Sequence, residues 1–84
     1  MDLKAAIITS HGGERMDRRG IAAEEVRRVL AQPDAVLPVR PGRVVAQAIS
    51  GPYLLRVFVD VDRHPPEVVT VYRTSKIKKY RSLP

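Results

Sequence analysis

YLLRVFVDVDRHPPEVVTVYR, residues 53–73, decides the fold. Between Tyr53 and Val61 the apolar residues recur at every second position. Leu55, Val57, Val59 and Val61 fall on one face of an extended chain, and Leu54, Arg56, Phe58 and Asp60 on the other. A period of two sustained over this length is a strand and not a helix. The same rhythm resumes from Glu67 to Arg73, where Val69, Val71 and Arg73 are expected on one face and Val68, Thr70 and Tyr72 on the other. Asp62 to Pro66, with two prolines, is the loop that joins the two strands.

Toward the N-terminus, VVAQAI (44–49) is a third run of this kind, set off by Ser50-Gly51-Pro52. AVLPV (35–39) is a fourth, which Pro38 confines to a sheet edge because proline has no N–H for a ladder. Between them, Arg40-Pro41-Gly42-Arg43 carries proline then glycine at the central turn positions, the signature of a type II turn. Short turns between consecutive strands give an antiparallel meander.

Ahead of the strands the period changes. In IAAEEVRRVLAQPD (21–34), Val26, Val29 and Leu30 stand at i, i+3 and i+4, the spacing of a buried helix face. Glu24 and Glu25 open this helix and Arg27 and Arg28 follow, which suits its dipole. Pro33 ends it, and Ala22 offers no side-chain cap. Residues 11–19 read as a shorter helix closed by Gly20, whose first turn Gly12 and Gly13 weaken by about 1 kcal/mol each. LKAAIIT (3–9) suits a short strand or arm, and TSKIKKYRSLP (74–84) a helical turn capped by Thr74 or Ser75. The expected fold is α+β: a short N-terminal strand, two helices packed on a three- to four-stranded antiparallel sheet, and a basic C-terminal tail or short helix. Met16, Ile21, Val26, Val29 and Leu30 are the expected core of the helical layer.

Length and composition narrow the function. Eighty-four residues suffice for one domain, 1–84. The absence of cysteine excludes disulfides and thiolate metal sites and suits a cytoplasmic location. Nothing at the N-terminus resembles a signal peptide, and no run approaches the ~20 apolar residues of a membrane span, so no membrane partner is expected. Charge is uneven. Residues 1–35 hold six basic and six acidic groups, whereas residues 36–84 hold nine and three. Arg73, Lys76, Lys78, Lys79 and Arg81 have no acid among them, and such a tract attracts polyanions or an acidic protein segment.

Two stretches carry a resemblance: HGGERMDRRGI (11–21) followed by EEVRRVLAQP (24–33), and VVTVYRTSKIKKY (68–80). Together they resemble the four-two-five-eight domain of unknown function, a bacterial family of small chains. Its pattern runs from His-Ala-x-x-Arg-Met through Arg-Gly-Ile and a Val-x-x-x-Leu helix to Val-Tyr-Arg, and the likeness spans residues 9–80. That family is similar to the wider RelE/ParE-like toxin superfamily. The resemblance implies two helices on an antiparallel sheet, often with a C-terminal helix. In the RelE-like and BrnT-like branches it implies metal-independent ribonuclease activity, with an acidic or DNA-binding antitoxin as partner; ParE-like members poison gyrase instead. Gly12 departs from the usual alanine, and Lys78 stands where relatives often carry an acid.

On that resemblance, the expected function is a toxin-type endoribonuclease acting on RNA. The alternative is a non-catalytic basic module binding an acidic partner or nucleic acid. Metal-free RNA cleavage needs a base, an acid and cations around the phosphorane. His11, Arg15, Arg73 and Tyr80 are the catalytic candidates, and Arg18, Tyr72, Lys76, Lys78, Lys79 and Arg81 the RNA-binding ones. Each has a plainer role open to it. His11 can bond a backbone carbonyl at a helix start. Arg15 can pair locally, and Arg18 and Arg19 can form a solvated face. Tyr72 and Tyr80 can simply pack. Arg73 either emerges into solvent at the strand end or turns into a concave site. Two histidines and unclustered acids argue against zinc, no glycine-rich phosphate loop is present, and no cofactor is expected.

Overall fold

A computed structural model describes residues 2–81, the last by its backbone alone. After one turn of 3-10 helix at Leu3–Ala5 come β1 (Ile7–Ile8), α1 (Ser10–Arg19) and α2 (Ala23–Ala31). β2 (Ala35–Arg40), β3 (Arg43–Ser50), β4 (Tyr53–Asp60) and β5 (Glu67–Thr74) follow, then α3 (Ile77–Arg81). The sheet has five strands in the order β1-β5-β4-β3-β2. β2 to β5 form the antiparallel meander read from the sequence, with β2 at the edge as Pro38 requires. Gly42, with φ 82°, occupies the turn position that favours glycine. The sheet is mixed and not purely antiparallel, because β1 runs parallel to β5 through Ile7–Glu67 and Ile8–Val68.

α1 and α2 cover one face of the sheet. Their buried residues Met16, Val26, Val29 and Leu30 meet Ala46, Ala48, Leu55, Val57, Val59, Val68 and Val71 in one core, together with Ile21 from the link between the helices. The alternation of β4 is as its sequence indicates. That of β5 is not: Phe58 pairs with Thr70 but Val59 pairs with Val68, so Val69 is an extra residue in a bulge. The bulge switches the faces, and Val68 joins Val71 in the core instead of lying opposite it. α2 begins at Ala22 without a side-chain cap, but the Glu25 carboxylate accepts the Ala22 N–H at 3.4 Å. Ser50 ties the helix to the sheet, donating to Glu25 at 3.1 Å and accepting from Arg28 at 3.0 Å. No helix among the described residues is long and apolar enough to cross a membrane.

α1 starts one residue earlier than its glycines suggest. Thr9 is the cap: its Oγ1 accepts the Gly12 N–H at 3.0 Å and donates to the Val68 carbonyl at 2.9 Å. Gly12 is buried, and a Cβ there would lie 2.4 Å from the Val68 oxygen. This glycine is therefore required for close approach of α1 to β5, and is not simply a weak point. Gly13 is different, since its Cβ would meet only the Ile8 side chain at 3.9 Å. Gly12→Ala gains about 1 kcal/mol of helix propensity but forces backbone apart at a cost of about 1–3 kcal/mol, so a net loss is expected. Gly13→Ala has the gain without the clash and should raise stability by up to about 1 kcal/mol. Urea melts of the two variants test this pair, and equal shifts of the same sign would refute it.

Candidate functional site

Along α1, His11, Arg15 and Arg19 are spaced by four residues and share one side of the helix, while Gly12 and Met16 turn inward. That cationic side runs beside β5, which has no strand partner on its outer side beyond Val68 among the described residues. Arg19 supplies part of what a strand would, its Nη1 donating to the Val71 carbonyl at 2.7 Å. It is thus anchored to the sheet, not free in a solvated face.

A hollow of about 470 Å³ opens at this seam. Its helical wall is His11, Arg15 and Arg19, and its floor is Val69, Thr70 and Tyr72 of β5. Phe58 of β4 and Arg43 of β3 complete it, so the hollow reaches from α1 to the sheet face that α1 does not cover. No carboxylate among the described residues lines it. Neither His11 nor Arg15 has a hydrogen-bond or ion-pair partner among the described residues, so both are available to a ligand. Arg43 is held from behind. Its Nε and Nη2 donate to the two Asp60 oxygens at 2.6 and 3.2 Å, and Arg63 stands 3.9 Å from the same carboxylate. The hydrogen bond from Arg43 holds the Asp60 carboxyl below the usual carboxylate range and, in return, raises the Arg43 guanidinium.

Tyr72 joins the hollow to a buried network. Its Oη accepts from Arg56 Nη1 at 2.6 Å, while Arg56 Nε donates to Gln47 Oε1 at 2.9 Å. Gln47 Nε2 donates in turn to the Tyr80 carbonyl at 3.2 Å, and the Arg56 guanidinium lies 4.3 Å from the Tyr80 ring centre. This places α3 on the sheet face opposite α1 and α2. Arg56 is 8% exposed and has no carboxylate partner among the described residues. Three aromatic rings surround it, with Phe58 and Tyr72 at 5.5 and 5.6 Å and stacked on each other.

His11, Arg15 and Tyr72 are thus brought together from the expected set. Arg73 is not with them. Its Nη2 donates to the Arg19 and Gly20 carbonyls at 2.9 and 3.0 Å and its guanidinium lies 5.6 Å from the Tyr53 ring. It closes the C-terminal end of α1, where the helix dipole is negative, about 12 Å along the axis from His11. Tyr80 packs on Arg56 and does not line the hollow. Lys76, Lys78 and Lys79 are exposed on or beside α3, and Arg18 is exposed and 3.7 Å from Glu14. The Arg81 side chain lies outside the described residues. Sequence reasoning passed over Arg19, Arg43, Gln47 and Arg56. The one available signal was Arg56, a cation set between Leu54 and Phe58 on one strand face. No cluster of three or more potential metal ligands occurs among the described residues.

The profile of a domain of unknown function, DUF4258, matches residues 8–73 of this chain. No curated protein and no solved structure matches it.

Proposed function

Because this chain belongs to the DUF4258 family, a domain of unknown function, its activity has to be argued from the site, and we propose that it binds and cleaves single-stranded RNA in the α1–β5 hollow without a metal. The supporting observation is a hollow with an imidazole, a phenol and three arginines in its lining and no carboxylate among the described residues. Arginine walls suit phosphodiester oxygens, and the stacked Phe58–Tyr72 pair offers an aromatic surface to an unpaired base. In this reading His11 takes the proton of the ribose 2′-hydroxyl, whose oxygen attacks phosphorus. Arg15 and Arg19 hold the phosphorane. Tyr72 gives its proton to the leaving 5′-oxygen, the P–O5′ bond breaks, and a 2′,3′-cyclic phosphate and a 5′-hydroxyl remain. Proton return from His11 to Tyr72 through water completes the cycle. The RelE/ParE-like resemblance adds a toxin-type role, with an acidic or DNA-binding antitoxin as the partner of the basic surface.

Arg15→Gln is the direct test, because Arg15 has no partner to lose among the described residues. Purified protein and single-stranded RNA in EDTA should give cleavage that the variant slows by about ten-fold or more. The salt dependence of binding should flatten by about one unit of slope. Arg73→Ala, by contrast, should lower stability by about 1 kcal/mol and leave cleavage per folded molecule unchanged. A second reading has its own observation: Lys76 and the lysines of α3 are exposed on the side of the molecule away from the hollow's helical wall, and such a basic surface suits docking of an acidic segment. Salt-sensitive binding without turnover would select that reading, and neither binding nor turnover would remove both.

A further inference from the structure

We infer that Arg56, buried behind the hollow and outside its lining, is a positioning residue that fixes the Tyr72 hydroxyl so that its proton faces the bound phosphate. The inference rests on the reading of the hollow as a phosphate site. A phenol has one proton and two lone pairs. Arg56 carries only donors, so at 2.6 Å it must occupy a Tyr72 lone pair and cannot take the proton. Tyr72 has no other hydrogen-bond partner among the described residues, and it is one of the residues that line the hollow. The O–H is therefore left to be donated into the hollow.

Arg56 is itself held in place. Gln47, 1% exposed, accepts from Arg56 Nε, and its own amide is oriented by donation to the Tyr80 carbonyl. The Tyr80 ring closes over the guanidinium. Donation runs outward from Arg56 on both sides, through Gln47 to the α3 backbone and directly to Tyr72. A buried cation usually requires an anion. In this interior, hydrogen bonds and three rings sustain it, and no carboxylate among the described residues answers it. Its charge is therefore open to the negative charge that Tyr72 acquires when it releases its proton, or to an anion that Tyr72 touches.

Titration with inorganic phosphate tests this independently of any cleavage. Tyr72→Phe and Arg56→Met should each weaken phosphate by about five-fold, and the double variant by no more than either alone. Thermal stability should fall further in Arg56→Met than in Tyr72→Phe, so a purely structural effect would separate the two. Should Arg56→Met not fold, the wild-type protein still reports. Phosphate should shift the Arg56 Nε–H resonance although Arg56 lies outside the hollow, and Tyr72→Phe should abolish that shift. Multiplying effects, or an Arg56 resonance indifferent to phosphate, would overturn the inference. If Arg15→Gln abolishes phosphate binding while both Arg56 readouts stay flat, the phosphate site stands and the relay fails. If wild-type protein binds no phosphate, both fail.

Discussion

Asp60→Ala is expected to lower the unfolding free energy by about 3 kcal/mol, a larger change than the Arg73 or glycine substitutions should produce. Ion pairs at protein surfaces contribute little, because water competes for both partners. Asp60 is not at the surface. Its side chain is 9% exposed, it lies directly across from Arg43 in the β3–β4 register, and two guanidinium nitrogens converge on its oxygens. Removing one member of such a pair strands the other, at about 3–5 kcal/mol. The lower end applies because the Arg43 side chain is 26% exposed and water reaches it. The pH dependence has a defined sign. The Asp60 carboxyl is held below its ordinary value by the Arg43 hydrogen bond. Its contribution is therefore complete above the unfolded carboxylate range, about pH 4, and is lost as pH falls through the lower folded value. Thermal melts from pH 7 to pH 2 should show a steep acid decline in the wild type. Asp60→Asn should start lower and decline less. Parallel declines would show that other carboxylates govern acid unfolding.

His11→Ala is expected to reduce RNA cleavage by a factor of about 10² to 10⁴, the range associated with loss of a general acid or base. His11 is exposed and has no partner among the described residues, so the substitution should move stability by no more than about 0.5 kcal/mol. RNA affinity should change little, since the arginine wall remains. The comparison to make is single-turnover cleavage at saturating protein beside a binding titration. Unimpaired cleavage would take the proton-transfer role from His11 and return the hollow to a binding site alone.

The layout of this molecule was legible in its sequence wherever local rules decide structure. Val26, Val29 and Leu30 set the buried side of α2, Pro38 put β2 at an edge, and the alternation from Leu54 to Asp60 placed each β4 residue on its proper face. What failed depended on distant parts of the chain. Val69 is an extra residue only relative to its partner strand, and a period of two cannot reveal that. Gly12 reads as a helix breaker until the Val68 carbonyl is seen beside it. Arg73 looks like a site residue because it ends a strand near a histidine-bearing helix, yet its guanidinium is taken up by the carbonyls of Arg19 and Gly20. Arg56 and Gln47 are nine positions apart and pair only because β3 and β4 fold back at Gly51. Of the candidate site, the sequence supplied His11, Arg15 and Tyr72. The pairing of strands supplied the rest.

The borders of the sheet carry a last consequence. One outermost strand, β2, contains a proline in its middle; the other, β1, is only two residues long, and beyond its end the Arg19 guanidinium takes the Val71 oxygen of β5. A foreign segment adding to either border in a crowded solution meets a missing backbone donor on one side and an occupied carbonyl on the other. Amyloid-like growth by strand addition is hindered there, and on the second side by a side chain that also lines the hollow.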